Sequence, residues 1–264
     1  MKKKIKNILR LIALAIFAIF IAAGSVFAII KTGEKQKELK INKVNIAIHR
    51  SSDGVYLQQQ DIEKYLYNQH KISLKEKKIN EVNTNYIETL LNENPYIKHS
   101  EVYIALDGTI YFDIEQRSPA IKVYNIYGEI FNVDQDGIIM PNNPNYPTYI
   151  RITNGNITTR HRNGDTAKNI LHNVLLLSQH LSTDTVMDAL IEQLYVSEKN
   201  NIILVPKTGN VTITFGKIEE MEKKVKKIKD FYAYLPSLNA DGRYSVLDAR
   251  FRDQIIGVNK TENH

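Results

Sequence analysis

Histidine is the side chain that most readily binds a metal ion or moves a proton near neutral pH. None of the seven histidines in this sequence stands in an H-E-x-x-H pattern or in another spacing typical of a metal site. His172 and His180 lie eight residues apart on one predicted helix and could share a face, which alone is weak support for a ligand pair. We therefore predict no metal site.

The sequence also lacks the motifs that are typical of nucleophilic catalysis. No serine begins S-x-x-K, no G-x-S-x-G is present, and no glycine-rich phosphate loop occurs. The chain has no cysteine, which removes thiol catalysis, thiolate metal sites and disulfides and leaves stability to a packed core. A catalytic triad can still assemble from distant residues, but the sequence favours a protein that is not an enzyme and uses no cofactor.

One acidic cluster resembles the start of a calcium-binding loop: Asn132, Asp134 and Asp136, followed by Gly137. Such a loop needs a bidentate glutamate at its twelfth position, where this chain has Asn143. It also needs flanking helices, and the flanks here read as strands. We interpret Asp134–Gly137 as a β-turn.

The most apolar part of the chain is Leu11–Ile30, which contains no charged residue. A helix of about 20 residues rises roughly 30 Å, the thickness of the hydrocarbon core of a bilayer. We predict a transmembrane helix from Leu11 to Ile30, after a tail at residues 1–10 and before a polar linker at residues 31–40. A cleaved signal sequence is the alternative, because small residues between Ala22 and Ala28 offer cleavage sites.

The charges beside this segment bear on its orientation. Five basic residues precede it and four follow closely, so the positive-inside rule favours a cytoplasmic N-terminus only mildly. A short tail and a large following body suit a single-pass protein of the inner (cytoplasmic) membrane with a periplasmic or extracytoplasmic body. The formal charge of +6 permits nucleic-acid binding, but such a body rarely meets nucleic acid, and we predict no nucleic-acid partner.

The region that follows the linker has the pattern of a small α+β unit. Alternating apolar residues indicate strands, and apolar residues three and four apart indicate helices. In order, we predict a strand at Ile41–His49, helices at Asp61–His70 and Thr84–Asn92, and strands at Val102–Leu106 and Thr109–Glu115.

The last two of these strands form a hairpin whose loop length fixes its register. A two-residue loop pairs Leu106 with Thr109 and puts the apolar residues of the two strands on opposite faces. A three-residue loop, Leu106–Gly108, pairs Ala105 with Thr109 and puts them on one face. We predict the second register, with Gly108 in the left-handed conformation that suits glycine.

Ser118-Pro119 marks a boundary, after which short strands alternate with helices. We predict strands at Ile121–Tyr124, Gly128–Val133, Ile138–Met140, Leu194–Val196, Ile202–Val205 and Val211–Phe215. We predict a helix at Thr166–Leu181, capped by Asp165, and a short helix after Ser182-Thr183. We predict a third helix at Ile218–Leu235, whose lysines form a solvated face. The strands Tyr244–Ala249 and Gln254–Val258 form a closing hairpin, and residues 260–264 form a tail.

The order of these parts resembles the FtsQ/DivIB family of cell-division proteins. Gln116-Arg117-Ser118-Pro119 is similar to the family's E-R-x-P motif, and Val133–Gly137 to its V-D-x-x-G motif. The resemblance extends to two later segments. Phe215-Gly216 precedes a lysine-bearing helix, as in the family, and Leu247–Phe251 is similar to the family's D-L-R-Y motif. The resemblance implies an α+β protein with one transmembrane helix, a POTRA domain at residues 41–117, and a mixed β-domain with packed helices and a C-terminal edge hairpin at residues 118–259.

The resemblance also implies a function and a binding site. Family members are non-enzymatic scaffolds that bind the bitopic proteins FtsL and FtsB and bring septal peptidoglycan synthesis to the division site; the POTRA domain can bind further division proteins. Strand addition at the outer strand of the closing hairpin would use Arg250, Phe251, Gln254, Ile255, Ile256, Gly257 and Val258. Val258 stands where proteobacterial members have tryptophan. The alternative to a binding edge is that residues 254–258 form an ordinary strand, paired within the sheet.

Two other classes of protein remain as competing interpretations. A POTRA-containing component of outer-membrane protein assembly or secretion would show several POTRA repeats or a long series of membrane strands, and the sequence shows one module and no such series. A membrane-anchored cell-wall hydrolase would need a catalytic constellation, and none is visible in the sequence.

Overall fold

A computed structural model describes residues 16–25, 39–49, 56–75, 77–144, 149–234 and 243–259 of the chain. These residues cluster into two compact units. One contains most of residues 39–114, and the other contains most of residues 115–259. The domain limits at residues 41–117 and 118–259 stay predictions.

Residues 16–25 form a helix, α1, inside the predicted membrane segment. Its side chains are exposed, among them Ile16, Phe17 and Phe20. The predicted ends of the segment, Leu11 and Ile30, lie outside the described residues. Over the part of the chain that the structure describes, no helix is both long enough and apolar enough to cross a bilayer.

The first unit has the predicted order of strand, helix, helix, strand, strand. Its elements are β1 (Lys43–His49), α2 (Gln59–His70), a 3₁₀ turn (Ile79–Glu81), α3 (Thr84–Asn92), β2 (Ile97–Ile104) and β3 (Thr109–Gln116). The described strands form a sheet in the order β1-β3-β2. Ile62 and Leu66 on α2 are buried, as is Phe112 on β3, so this unit has an apolar core of its own.

The hairpin between β2 and β3 has the predicted three-residue loop. The Ala105 N–H donates to the Thr109 carbonyl over 2.9 Å, and the Gly108 N–H donates to the Ala105 carbonyl over 3.0 Å. Gly108 has a φ of +83°, and a Cβ there would lie 2.8 Å from the Lys40 carbonyl oxygen. The residues that this register gathers on one face are buried or half-buried: Val102, Ile104, Ile110, Phe112 and Ile114. The register prediction is confirmed.

The second unit is built on one large sheet. Its strands are β4 (Pro119–Tyr124), β5 (Ile130–Asp134), β6 (Ile139–Pro141), β7 (Arg151–Gly155), β8 (Ile191–Val196), β9 (Ile202–Pro206), β10 (Thr212–Gly216), β11 (Tyr244–Asp248) and β12 (Ile256–Asn259). Its helices are α4 (Asn169–Ser182), α5 (Thr185–Leu190) and α6 (Met221–Tyr234). Within the described residues the strand order is β12-β11-β10-β9-β8-β7-β4-β5-β6.

The sheet is mixed. Strand β4 is parallel to β7, β7 to β8, and β10 to β11. Helices make two of these parallel connections possible, because α4 and α5 separate β7 from β8 and α6 separates β10 from β11. Side chains from these helices and from one face of the sheet form a continuous buried core. The predicted fold class, α+β with a mixed sheet and packed helices, is confirmed.

Strand β7 is missing from the sequence-based prediction, because two of its buried positions hold Arg151 and Thr153. The Arg151 guanidinium donates to Asp188 Oδ1 over 2.7 Å and to the Ser178 hydroxyl and the Ile191 carbonyl over 3.0 and 3.2 Å. Burial lowers the pKa of Arg151, and the Asp188 carboxylate opposes that shift. A charged residue with this many partners can occupy a core position of a strand and conceal its periodicity.

The start of α4 corrects a second prediction. The helix begins at Asn169, not at Thr166, and no side chain caps it. Asp165 is not the cap: its carbonyl accepts the Ile139 N–H over 2.8 Å. Thr166 forms a β-bridge with Ile138. Residues predicted to start the helix are used instead to pair with the sheet.

The lysines of α6 correct a third prediction, because they do not all lie on a solvated face. Lys224 is only 8% exposed. Its ammonium donates to the Lys217 carbonyl over 2.7 Å and lies 5.0 Å from the centre of the Phe215 ring. The burial lowers the pKa of Lys224. Its carbonyl and aromatic contacts offset part of the cost of burying the charge.

The two boundary motifs meet in the structure. Arg117 donates to Asp134 Oδ2 over 2.8 Å, and Asp134 Oδ1 accepts the Ile138 N–H over 2.7 Å. The Gly137 N–H donates to the Asp134 carbonyl over 3.0 Å, which closes the predicted β-turn. The acidic cluster is thus a turn, as predicted, and its aspartate holds the start of the second unit in place.

Candidate partner-binding edge

Strand β12 lies at one end of the large sheet. It pairs with β11, where Val246 faces Val258 and Asp248 faces Ile256. Among the described residues, no strand pairs with the other side of β12. Backbone N–H and C=O groups on that side can therefore accept a strand from another chain.

Apolar side chains accompany this open edge. Ile256 is 39% exposed and Val258 is 50% exposed, and they share a face because they are two positions apart. Phe251, in the loop before the strand, is 43% exposed. Exposed apolar groups beside an unpaired strand favour association with another chain.

Tyr244 covers the opposite face of β12. A Cβ on Gly257 would lie 2.5 Å from two atoms of the Tyr244 ring, so the ring lies directly over the glycine. The same ring packs edge-on against Phe231 of α6, with 5.9 Å between ring centres. Glycine at position 257 thus lets an aromatic ring tie the edge strand to the helices behind the sheet.

The loop before β12 presents one fixed cation. Arg250 Nε lies 2.9 Å from Asp248 Oδ1, and its terminal nitrogen lies 2.5 Å from Oδ2. This two-pronged hydrogen bond lowers the pKa of Asp248. The stem of Arg250 crosses Gly216, where a Cβ would lie 2.8 Å from Arg250 Cγ. The Arg250 side chain is 48% exposed, so it can still meet an acidic group of a partner.

A lysine from α6 reaches the same loop. Lys227 Nζ donates to the carbonyl oxygens of Ala249, Phe251 and Gln254. The distances to Ala249 and Gln254 are 3.2 and 3.5 Å. One ammonium group therefore joins three points of the loop to the helix.

The predicted site residues lie in two different environments. Arg250, Phe251, Gln254, Ile256 and Val258 are exposed. The strand begins at Ile256 instead of Gln254 and continues to Asn259. Gln254 and Ile255 therefore belong to the loop, and Ile255 packs partly against the core. The prediction that strand pairing starts at Gln254 is wrong, because the pairing with β11 begins at Ile256, opposite Asp248.

The far edge of the same sheet differs. Strand β6 is three residues long and ends in Pro141. The Ile139 N–H donates to the Asp165 carbonyl, and the Ile139 carbonyl accepts the Gly164 N–H over 2.9 Å. The segment before α4 thus occupies the hydrogen-bonding side that another chain would need.

Three residues that shape the open edge carried no clear signal in the sequence. Lys227 reads as one of several solvated lysines, and Tyr244 reads as the first residue of a strand. Gly216 reads as the end of a strand, and only its φ of +81° and its contact with Arg250 show its role. Their functions depend on contacts between segments far apart in the chain.

No cluster of three or more histidine, aspartate or glutamate side chains in the described parts of the chain could hold a metal ion. The perturbed acidic groups have direct partners. The pKa of Asp184, for example, is lowered mainly by a hydrogen bond from Lys229. Asp184 also accepts the Val186 and Met187 N–H groups and so caps α5. Its environment is that of a structural cap.

Comparison with known protein families agrees with this architecture. A family model described as FtsQ/DivIB, C-terminal related, matches residues 118–258. A model described as a POTRA-like domain matches residues 40–115. No curated protein matches the chain.

Proposed function

We propose that this chain, which belongs to the FtsQ/DivIB family, is a non-enzymatic scaffold of the cell-division machinery. The observation that carries the proposal is the open edge of β12, with Ile256 and Val258 exposed beside it. The proposed partners are small bitopic proteins of the FtsL/FtsB type. Through them the scaffold couples the division site to septal peptidoglycan synthesis.

The binding mode is strand addition. A partner strand aligned with β12 makes backbone hydrogen bonds along the open side, and these give affinity without requiring a particular sequence. Selectivity comes from side chains: Ile256 and Val258 favour an apolar surface, and Arg250 favours an acidic residue. Phe251 supplies an aromatic anchor beside the strand, a residue type that often dominates the energy of an interface.

The proposal includes a membrane anchor. The uncharged segment Leu11–Ile30 is long enough to span a bilayer as a helix. With the N-terminus in the cytoplasm, the two units lie outside the cytoplasm, where they meet the extracytoplasmic parts of bitopic partners. The POTRA-like unit offers a further surface for other division proteins.

A proline substitution tests the edge. Because the Ala249 N–H bonds β10, alternate residues of β11 bond β12, and the N–H groups of Ile256 and Val258 point toward β11. Asn259→Pro removes a backbone N–H from the open side of β12, and an unpaired carbonyl in the complex costs about 1–3 kcal/mol. We expect the affinity for the FtsL/FtsB-type partner to fall by about tenfold or more, measured by pull-down and titration with the purified full-length chain. Unchanged affinity would exclude β12 as the binding strand.

The control places proline elsewhere in the same sheet. Glu198 follows Ser197 at the start of the turn between β8 and β9, where the Asn200 N–H donates to the Ser197 carbonyl over 2.8 Å. Proline is favoured at this second position of a turn, so Glu198→Pro should keep partner binding. In cells, a fluorescent fusion should concentrate at mid-cell during constriction; uniform membrane signal would count against the division function.

A further inference from the structure

We infer that Lys227 is a positioning residue, which holds the loop at residues 249–255 in the form that presents Arg250 and Phe251 to a partner. The inference rests on the proposed function for its partner-binding part. Its structural part stands on the contacts between the Lys227 ammonium and the loop.

The geometry of these contacts is specific to an ammonium group. Three carbonyl oxygens, from Ala249, Phe251 and Gln254, converge on Nζ. A lysine ammonium has three N–H donors and no acceptor, so it can satisfy all three oxygens at once. Without the cation, the negative ends of three carbonyl dipoles would face one another at a half-buried position.

The contacts span the part of the loop that has no strand partner. Ala249 is anchored to the sheet by its N–H, which donates to the Thr214 carbonyl over 3.0 Å. Residues 251–253 form a bend between the two strands. Lys227 bonds this segment to α6 at its start (Ala249), in its bend (Phe251) and near its end (Gln254). The side chains of Arg250 and Phe251 extend from the part of the loop that these bonds hold.

A fixed loop gives a binding advantage. Ordering a loop and its side chains on binding lowers the affinity of a complex. Because Lys227 holds the loop in the free protein, the partner meets Phe251 and the Arg250–Asp248 pair already in place. Loss of the ammonium should therefore weaken partner binding even though Lys227 need not touch the partner.

The absence of cysteine makes a clean chemical test possible. Lys227→Cys supplies the single thiol of the chain. Alkylation with 2-bromoethylamine rebuilds a side chain of lysine length that ends in an ammonium group, whereas iodoacetamide leaves a neutral amide. Lys226→Cys with the same two reagents is the matched control, because the Lys226 side chain is 78% exposed and pairs with Asp230.

Two measurements are made on the full-length chain: amide hydrogen exchange at residues 250–255, and affinity for the FtsL/FtsB-type partner. We expect the neutral adduct of Lys227→Cys to exchange about tenfold faster in the loop and to bind about tenfold more weakly. The aminoethyl adduct of the same variant should restore both. Both adducts of Lys226→Cys should match the unmodified protein.

The outcomes separate the inference from the proposed function. Loop exchange that does not respond to the charge at position 227 overturns the inference. Faster loop exchange with unchanged partner affinity would show that Lys227 orders the loop without affecting binding, and this result also overturns the inference. If even the unmodified protein fails to bind the partner, the proposed function fails, while the exchange data still decide whether Lys227 fixes the loop. Loss of affinity restored only by the ammonium supports the inference.

Discussion

The two edges of the large sheet differ in how far their backbone hydrogen-bonding groups are protected from pairing with another chain. At β6, the strand is short, ends in Pro141, and pairs with the segment that contains Gly164 and Thr166. At β12, apolar side chains stand beside backbone groups that no described strand pairs with. Sheets usually protect their edges against unwanted pairing. A sheet that covers one edge and leaves the other open is typical of a protein that uses the open edge for binding.

The strongest test of this comparison uses two isoleucines on one face of the sheet. Ile256 is 39% exposed on β12, and Ile130 is 42% exposed on β5, which lies between β4 and β6. A lysine at the open edge discourages strand pairing. We expect Ile256→Lys to reduce partner affinity by about tenfold, which corresponds to about 1.4 kcal/mol. Titration with the purified partner measures the change.

Ile130→Lys is the control for that variant. It adds the same charge at a similar exposure but on a strand with neighbours on both sides. Partner affinity should be unchanged, and both variants should keep their thermal stability within about 0.5 kcal/mol, as expected for exposed positions. Equal losses of affinity in the two variants would show that the open edge has no special role.

A smaller effect is expected at the covered edge. Gly164 has a φ of +81°, and nothing lies near the position of an added Cβ. Gly164→Ala should therefore cost about 1 kcal/mol through backbone strain alone, and it should speed hydrogen exchange at the Ile139 amide. Partner affinity should not change. Thermal denaturation and hydrogen exchange measure these effects.

Gly209, in the turn between β9 and β10, provides the comparison. It has a φ of +84° and equally free space around it. Gly209→Ala should lose a similar amount of stability and leave the Ile139 amide protected. If both variants expose Ile139 equally, the segment before α4 is not a specific cover of β6.

The smallest expected effect concerns pH. The hydrogen bonds from Arg250 lower the pKa of Asp248 below its unfolded value of about 3.9. The ion pair thus stabilises the hairpin above that pH, and the stabilisation is lost as the pH falls through the lowered pKa. For a pair this exposed we expect less than about 1 kcal/mol.

Asp248→Asn should remove this acid-dependent part of the stability. The melting temperature of the variant should fall less between about pH 6 and pH 3 than that of the parent protein. Asp253→Asn, in the same loop, is the control and should follow the parent. A parental acid response in Asp248→Asn would show that the pair does not stabilise the folded hairpin.

The sequence contains enough information to predict the hairpin around Gly108 and the order of the first unit. There, burial of one apolar face selects a single register, so local alternation and long-range packing agree. The sequence also predicts the closing hairpin, although its second strand starts two residues later, at Ile256. The alternation of apolar and polar residues predicts a strand correctly where the strand has one apolar face.

Other features depend on contacts that periodicity does not report. Strand β7 was not predicted because Arg151 occupies a core position, where Ser178, Asp188 and Ile191 supply its partners. The covered edge was not predicted because Thr166 pairs with Ile138 instead of starting a helix. Lys227 resembles its neighbouring lysines in sequence, and only the path of the loop at residues 249–255 distinguishes it. In each case a polar group is placed by a distant segment.

The order of the strands also has a kinetic consequence. β12 follows every other described strand of the sheet in the chain and pairs only with β11. β11 in turn reaches its parallel partner β10 only after the chain has passed through α6, and such non-local pairings form slowly. The open edge is therefore joined to the rest of the sheet only through this non-local pairing. We expect a partner that recognises β12 to find the complete sheet behind it only in chains in which β10 and β11 have paired.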